Sequence, residues 1–435
     1  MLDAGFSGVV HKAAMDQLLA QNRILQGEVK GNFRAHLDHG APGRSSIEGK
    51  IRVRKFNLPW KAVGGLHVLQ ANIEGQKDGF TITSADLKLN EQPLQLSGSG
   101  TFKPETLDLQ MQLKAKALDV DQLAGELTKD EPASKTRPLA RAAVMPVSGR
   151  WTVEIDRLTY DRYQIMPLHA AIARADRQTL VDITAAGFCG IQLPGKIRLS
   201  DGTARMAFQP RAERAALQDT GTCLIDARRT EKLEGTMDVE GNLVTSGKNR
   251  DDFIANLKGD VRIRIDDGRV RNAGTAGLFT NLLAFLSVNQ YLKDGVPDLS
   301  KDAFQYKSLE SQLVFKDGFM RIKDGILKSN SVNIVADGRY LLAQKELDLV
   351  LLVSPLTSVD WVVEKIPILG NILQGTLIAV PVSVKGSVAD PKVVPLSPSA
   401  VGSRLGSILK RTLKTPVRII EPLLKDDAEQ DSPRQ

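Results

Sequence analysis

The sequence predicts a mainly β fold: a long, twisted antiparallel sheet that forms a gutter of repeating β-groove, accompanied by a few amphipathic helices. Three observations predict it. Apolar and polar residues alternate strictly from Leu107 to Ala115 and from Val261 to Ile265, and again over Trp151–Ile155, Ile51–Val53 and Val380–Val384. Alternation with period two gives a strand one apolar and one polar face. Asp-Gly pairs recur at Asp78-Gly79, Asp201-Gly202, Asp267-Gly268, Asp317-Gly318, Asp324-Gly325 and Asp337-Gly338. Asp-Gly supplies the positive-φ residues that tight hairpins need, so each pair predicts a turn in a long meander. Helical periodicity is confined to a handful of short stretches.

Taken in order, residues 1–29 are read as an N-terminal amphipathic-helix region, its helix over 12–25 carrying Met15, Leu18, Leu19 and Leu25. Residues 30–129 form a first sheet segment, ending in a short helix over 119–129 that Asp119 caps. Residues 130–146 combine Pro, Ala and charge and are read as a linker. Residues 147–398 form a second β domain with two inserted helical segments. One covers 274–292, with Leu278, Phe279, Leu282, Leu283 and Leu286 on one stripe; the other, over 356–374, is broken by Pro367 and Gly370. A basic amphipathic helix and extension follow over 399–424, and an acidic tail over 425–435 reads as disordered.

Composition narrows the function. The 435 residues amount to two or three domains, or one long repetitive one. Apolar residues at 42% and charged residues at 25% support a folded chain and exclude wholesale disorder. Aromatics at 5% argue against a large carbohydrate or nucleotide-stacking site. The net charge of +7 suits a membrane surface or an acidic partner as well as nucleic acid, and alone decides nothing among them. Nucleic acid is not expected as a partner, because the basic residues alternate with acids and lack interleaved aromatics.

No catalytic residues are assigned. The sequence has no G-x-S-x-G, H-E-x-x-H or Walker A motif, and its five histidines are scattered. Carboxylate pairs such as Asp251–Asp252 and Asp266–Asp267 sit where turns are expected. No metal site or cofactor is expected. Cys189 and Cys223 are read either as two buried thiols or as one structural disulfide. No run of 18 apolar residues suggests a membrane-crossing helix. The first residues lack the basic and apolar regions of a signal peptide, which fits either a cytosolic chain or one whose anchor lies upstream.

The C-terminal helix has two readings. Six Lys or Arg residues stand against Glu421 between Val401 and Lys425. As a cap, the helix packs an apolar stripe on the sheet and keeps a solvated basic face. As an interfacial helix, Arg404, Leu405, Ile408, Leu409, Lys410, Arg411 and Lys414 contact anionic headgroups or a partner.

An apolar sheet face must be covered. The predicted helices are too few to cover so many strands. Either the sheet closes on itself around a dry core, or its lining stays open, which makes sense if an apolar ligand fills it.

Several segments together resemble a known family. They are the strand pair GDVRIRIDDGRV, an amphipathic helix with Pro297-Asp298-Leu299 and the aromatics Phe304 and Tyr306 after it, the ADGRYLLAQKELDLVL pair, KIPILGNIL, and the closing PVSVKGSVADPKV with its G-x-x-x-D-P-x-V ending from Gly386 to Val393. In this order they resemble the C-terminal region of AsmA-like proteins of the AsmA, YhdP and TamB type, a group similar to chorein-type bridge lipid-transfer proteins. The resemblance spans roughly residues 25–420 and is weaker in the first half.

It implies a gutter with an apolar interior, lying in the periplasm and associated with the inner membrane if an anchor lies upstream. It also implies a non-enzymatic role in carrying phospholipid toward the outer membrane or in outer-membrane homeostasis. The expected partners are phospholipid or another acyl lipid, a membrane surface and envelope proteins. The lining residues expected from the alternation are Leu107, Leu109, Met111, Val261, Ile263, Ile265, Leu347, Leu349 and Leu351. The alternative is an assembly scaffold with a closed β core that docks envelope partners.

Overall fold

The structure is a computed structural model. It describes residues 2–18, 25–38, 41–57, 66–122, 147–175, 177–224, 232–271, 304–330, 332–355, 377–387, 390–401, 405–407 and 417–419. The chain is mainly β, as the alternation predicts: long, mostly antiparallel strands with few helices. It divides into two compact units, Met1–Phe188 with Gln192–Met206, and Cys189–Ile191 with Ala207–Gln435.

The first unit begins with β1 (Leu2–His11) and helix α1 (Lys12–Leu18). It continues through β2 (Leu25–Leu37), β3 (Ser46–Asn57), β4 (Leu66–Gln76), β5 (Gly79–Leu89), β6 (Gln92–Phe102) and β7 (Leu107–Asp119). Then come β8 (Val147–Tyr160), β9 (Tyr163–Ala175) and β10 (Gln178–Phe188). The short β11 (Ile191–Gln192), β12 (Gly195–Ser200) and β13 (Thr203–Phe208) fall around the division between the units. Neighbours from β1 to β10 pair in chain order, antiparallel except for β7 and β8, which run parallel; β12 pairs with β10.

Two expectations change here. Residues 2–11 are a strand, matched residue for residue to β2, and not part of a helical region. The segment 130–146 lies outside the described residues, and the strands on either side of it are neighbours. Leu107 pairs with Val147 and Asp119 with Thr159, so the sheet runs across the position expected to separate two domains.

The second unit contains β14 (Arg211–Ala216), α2 (Leu217–Leu224), β15 (Lys232–Gly247), α3 (Arg250–Ala255) and β16 (Lys258–Arg271). It continues with β17 (Phe304–Lys316), β18 (Phe319–Ser329), β19 (Val332–Leu341), β20 (Glu346–Pro355), β21 (Leu377–Ser387) and β22 (Lys392–Pro395). β14 to β22 form an antiparallel ladder in chain order, and β23 (Val417–Ile419) adds in parallel to β21. Asn249 caps α3 by accepting the Asp252 amide at 3.0 Å. The expected helices over 274–292 and 356–374 lie outside the described residues.

Three Asp-Gly pairs make turns: Asp78-Gly79 joins β4 to β5, Asp201-Gly202 joins β12 to β13, and Asp317-Gly318 joins β17 to β18. The other three lie inside strands. Asp267 and Asp324 hold φ of 51° within β16 and β18, and the pairing shifts register beside both. A residue with positive φ serves a hairpin turn or a bulge equally well; a bulge bends the strand and raises its twist.

Candidate functional site

In the first unit, alternation becomes continuous rows across the strands. Ile51, Ile73, Ile82, Gly98, Met111, Trp151, Ile172, Val181 and Ile197 pair side by side from β3 to β12. A second row joins Val53, Ala71, Ala85, Leu96, Leu113, Val153, Ala170 and Ile183. Residues two apart on a strand share a face, so both rows lie on one face, together with the cluster around Leu87, Leu94, Ala115 and Ile155. The first row is half-buried throughout. Leu107, Leu109 and Met111 stand on this face, also half-buried. Leu109 pairs with Gly149, whose φ of 131° no side-chain-bearing residue adopts easily and where a Cβ would overlap the Leu109 backbone.

The opposite face is polar. Arg54 Nη1 donates to Glu28 Oε1 at 3.1 Å, and Gln70 Nε2 donates to Asp86 Oδ2 at 2.5 Å. Lys114 Nζ lies 2.9 Å from Glu154 Oε2. The Lys114 and Gln112 hydrogen bonds hold the Glu154 carboxyl below its ordinary pKa. Lys103 does the same for Asp108. These cross-strand pairs keep one face in water while the other is apolar.

In the second unit a comparable row crosses β15 to β21 through Met237, Ile265, Leu309, Leu327, Ile334, Val353 and Val380. Its burial is graded. Ile263, Ile265, Leu309, Leu313 and Phe315 are half-buried, whereas Val353, Val380, Val382 and Val384 have 0% exposure. Val261, Leu347, Leu349 and Leu351 are buried. Of the nine lining residues expected from sequence, five are therefore half-open and four packed. The rest of the apolar face, including Ile73, Ile82 and Ile172, has shorter or less regular alternation in sequence and emerges only through strand register.

Part of the second unit's apolar face is covered. Leu217 of α2 packs with Ala212, Met237, Val239 and Val261. A disulfide joins Cys189 to Cys223 at the end of α2, with Cα atoms 5.4 Å apart, and Thr220 Oγ1 donates to the Cys189 carbonyl at 2.8 Å. On the opposite face Leu405 is buried in a cluster with Val335, Leu352 and Ala379, with Val401 at its edge. Leu405 thus packs on the sheet. Arg404, Ile408, Leu409, Lys410, Arg411 and Lys414 lie outside the described residues.

Among the described residues no group of three or more His, Cys, Asp or Glu side chains could hold a metal ion. No described helix is long and apolar enough to cross a membrane. Comparison with known proteins finds no matching family model, curated protein or solved structure.

Proposed function

We propose that this chain is a non-enzymatic cell-envelope protein that holds or conducts phospholipid acyl chains along an apolar β-groove. In this reading it contributes to lipid traffic from the inner to the outer membrane or to outer-membrane homeostasis. The observation that carries the reading is the row from Ile51 through Met111 to Ile197, apolar from strand to strand and half-buried throughout. An apolar row that stays partly open gains about 0.8 kcal/mol for each methylene laid against it. Such a surface favours acyl chains of any length without recognising a particular residue pattern, and headgroups stay in solvent. The AsmA-like resemblance points the same way and supplies the periplasmic setting, an association with the inner membrane if an anchor lies upstream, and the membrane and envelope partners.

A second reading has its own support. Val353, Val380, Val382 and Val384 have no exposed surface, which suits a closed core and a scaffold that docks envelope proteins. Mass spectrometry of organic extracts separates the two. The protein is purified without detergent from a periplasmic expression host. Several phospholipids per chain are expected; folded protein free of lipid would sink the groove reading in favour of the scaffold.

A further inference from the structure

We propose that strand β1 is a pairing edge for β1 of a second copy of this chain, giving a two-fold dimer through an antiparallel β1–β1 seam. The inference is independent of the lipid reading. β1 pairs with β2 over ten residue pairs, and among the described residues no strand pairs with its other side. Exposed strand edges are pairing templates, and proteins usually guard them with Lys, Pro or short length. β22, which pairs with β21, shows such guarding: it has four residues, begins with Lys392 and ends with Pro395. β1 is ten residues long and has no Lys, Arg or Pro; its titratable side chains are Asp3 and His11, near its two ends. Val9 is 44% exposed, and a Cβ built at Gly5 or Gly8 would meet nothing within 4 Å.

The occupant follows from self-complementarity. An antiparallel partner centred on Ser7 sets Asp3 opposite His11 of the second copy and Phe6 opposite its Gly8. Within one chain Asp3 Oδ1 lies 2.5 Å from His36 Nδ1, and His11 Nδ1 lies 3.6 Å from Glu28 Oε2. Across the seam the order becomes His36, Asp3, His11 and Glu28, with base and acid alternating over four strands. The register also keeps faces matched. Val10 pairs with Val29 and Val29 with Val53, so Phe6, Gly8 and Val10 belong to the apolar face, and the seam continues that face into the second copy. An interface in which each residue meets its counterpart about one axis closes as a dimer.

The test uses the full chain. Sedimentation velocity over a concentration series is expected to show a monomer–dimer equilibrium, and Ser7→Lys, which sets like charges across the axis, is expected to abolish the dimer. Ser7 is exposed, so the variant keeps its fold, checked by circular dichroism. Ser7→Cys introduces the one free thiol, since Cys189 and Cys223 are bonded to each other. Under mild oxidation it is expected to cross-link at least tenfold faster than Val9→Cys, which in this register faces Gly5. A protein that stays monomeric throughout, a dimer that survives Ser7→Lys, or equal cross-linking at positions 7 and 9 would each overturn the proposal.

Discussion

The ring of Tyr306 lies over Gly268, its cross-strand partner on β16, and a Cβ at position 268 would overlap the ring carbons. Tyr306 is 5% exposed and packs beside Phe304, ring centroids 6.2 Å apart. The ring is almost wholly enclosed, so making room for a methyl group means moving its neighbours. Gly268→Ala is therefore expected to destabilise the second unit by about 1–3 kcal/mol, the usual cost of overpacking. Urea unfolding monitors the loss. Replacing Tyr306 with Leu in the same chain should recover part of it, because the two changes share one contact.

Burial pushes the Tyr306 hydroxyl up to about 12. An unfolded tyrosine ionises near pH 10, so between about 10 and 12 the folded state binds the extra proton. Stability contributed by this group is intact below pH 10 and falls as pH rises toward 12. Absorbance titration at high pH is expected to show a late tyrosine that Tyr306→Phe removes, beside Tyr340, whose hydroxyl burial also pushes up. The variant should also unfold less steeply with pH in that window; an unchanged titration would refute the assignment.

The Cys189–Cys223 bond closes a loop between residues 34 apart in sequence. Chain-entropy arguments give a loop of that size about 3–4 kcal/mol. Reduction, or Cys223→Ala, should lower the melting temperature, which calorimetry reads. It should also loosen α2 and expose Leu217, Met237 and Val239 to an apolar dye.

Half-open and sealed lining positions should respond differently to a charge. Met111→Glu with Ile263→Glu is expected to abolish lipid retention while circular dichroism stays native, because both side chains are half-buried and a carboxylate there reaches water. Val382→Glu buries an unpaired carboxylate at a site with 0% exposure and should unfold the second unit. Lipid retained by the double variant would remove these positions from the lining.

The face of β7 was legible because Leu107, Leu109 and Met111 alternate with Asp108, Gln110 and Gln112 without interruption. What the alternation could not carry was register. That Met111 stands between Gly98 and Trp151 depends on pairing with strands distant in sequence. Asp267 and Asp324 carry the turn signal but sit at bulges, because a bulge asks the same positive φ of the same residue types. β1 carries no clear alternation, because Gly5, Ser7 and Gly8 interrupt its apolar pattern and leave cross-strand pairing to define it. Graded burial, from half-open Ile263 to sealed Val382, is a property of packing that local sequence does not encode.

The parallel β7–β8 pair has a consequence for how the first unit folds. β8 starts beside Leu107 and ends beside Asp119, so the chain leaving β7 must travel back about 40 Å before it can pair, at roughly 3.3 Å per strand residue. The strands on either side are joined to their neighbours by short reversals and can zip from local contacts. The seam alone requires closure of a long loop before any contact rewards it, and such closure is entropically slow. Joining β7 to β8 is therefore expected to be the slow step in completing the unit, so that lengthening the connection between them should slow refolding more than it lowers stability.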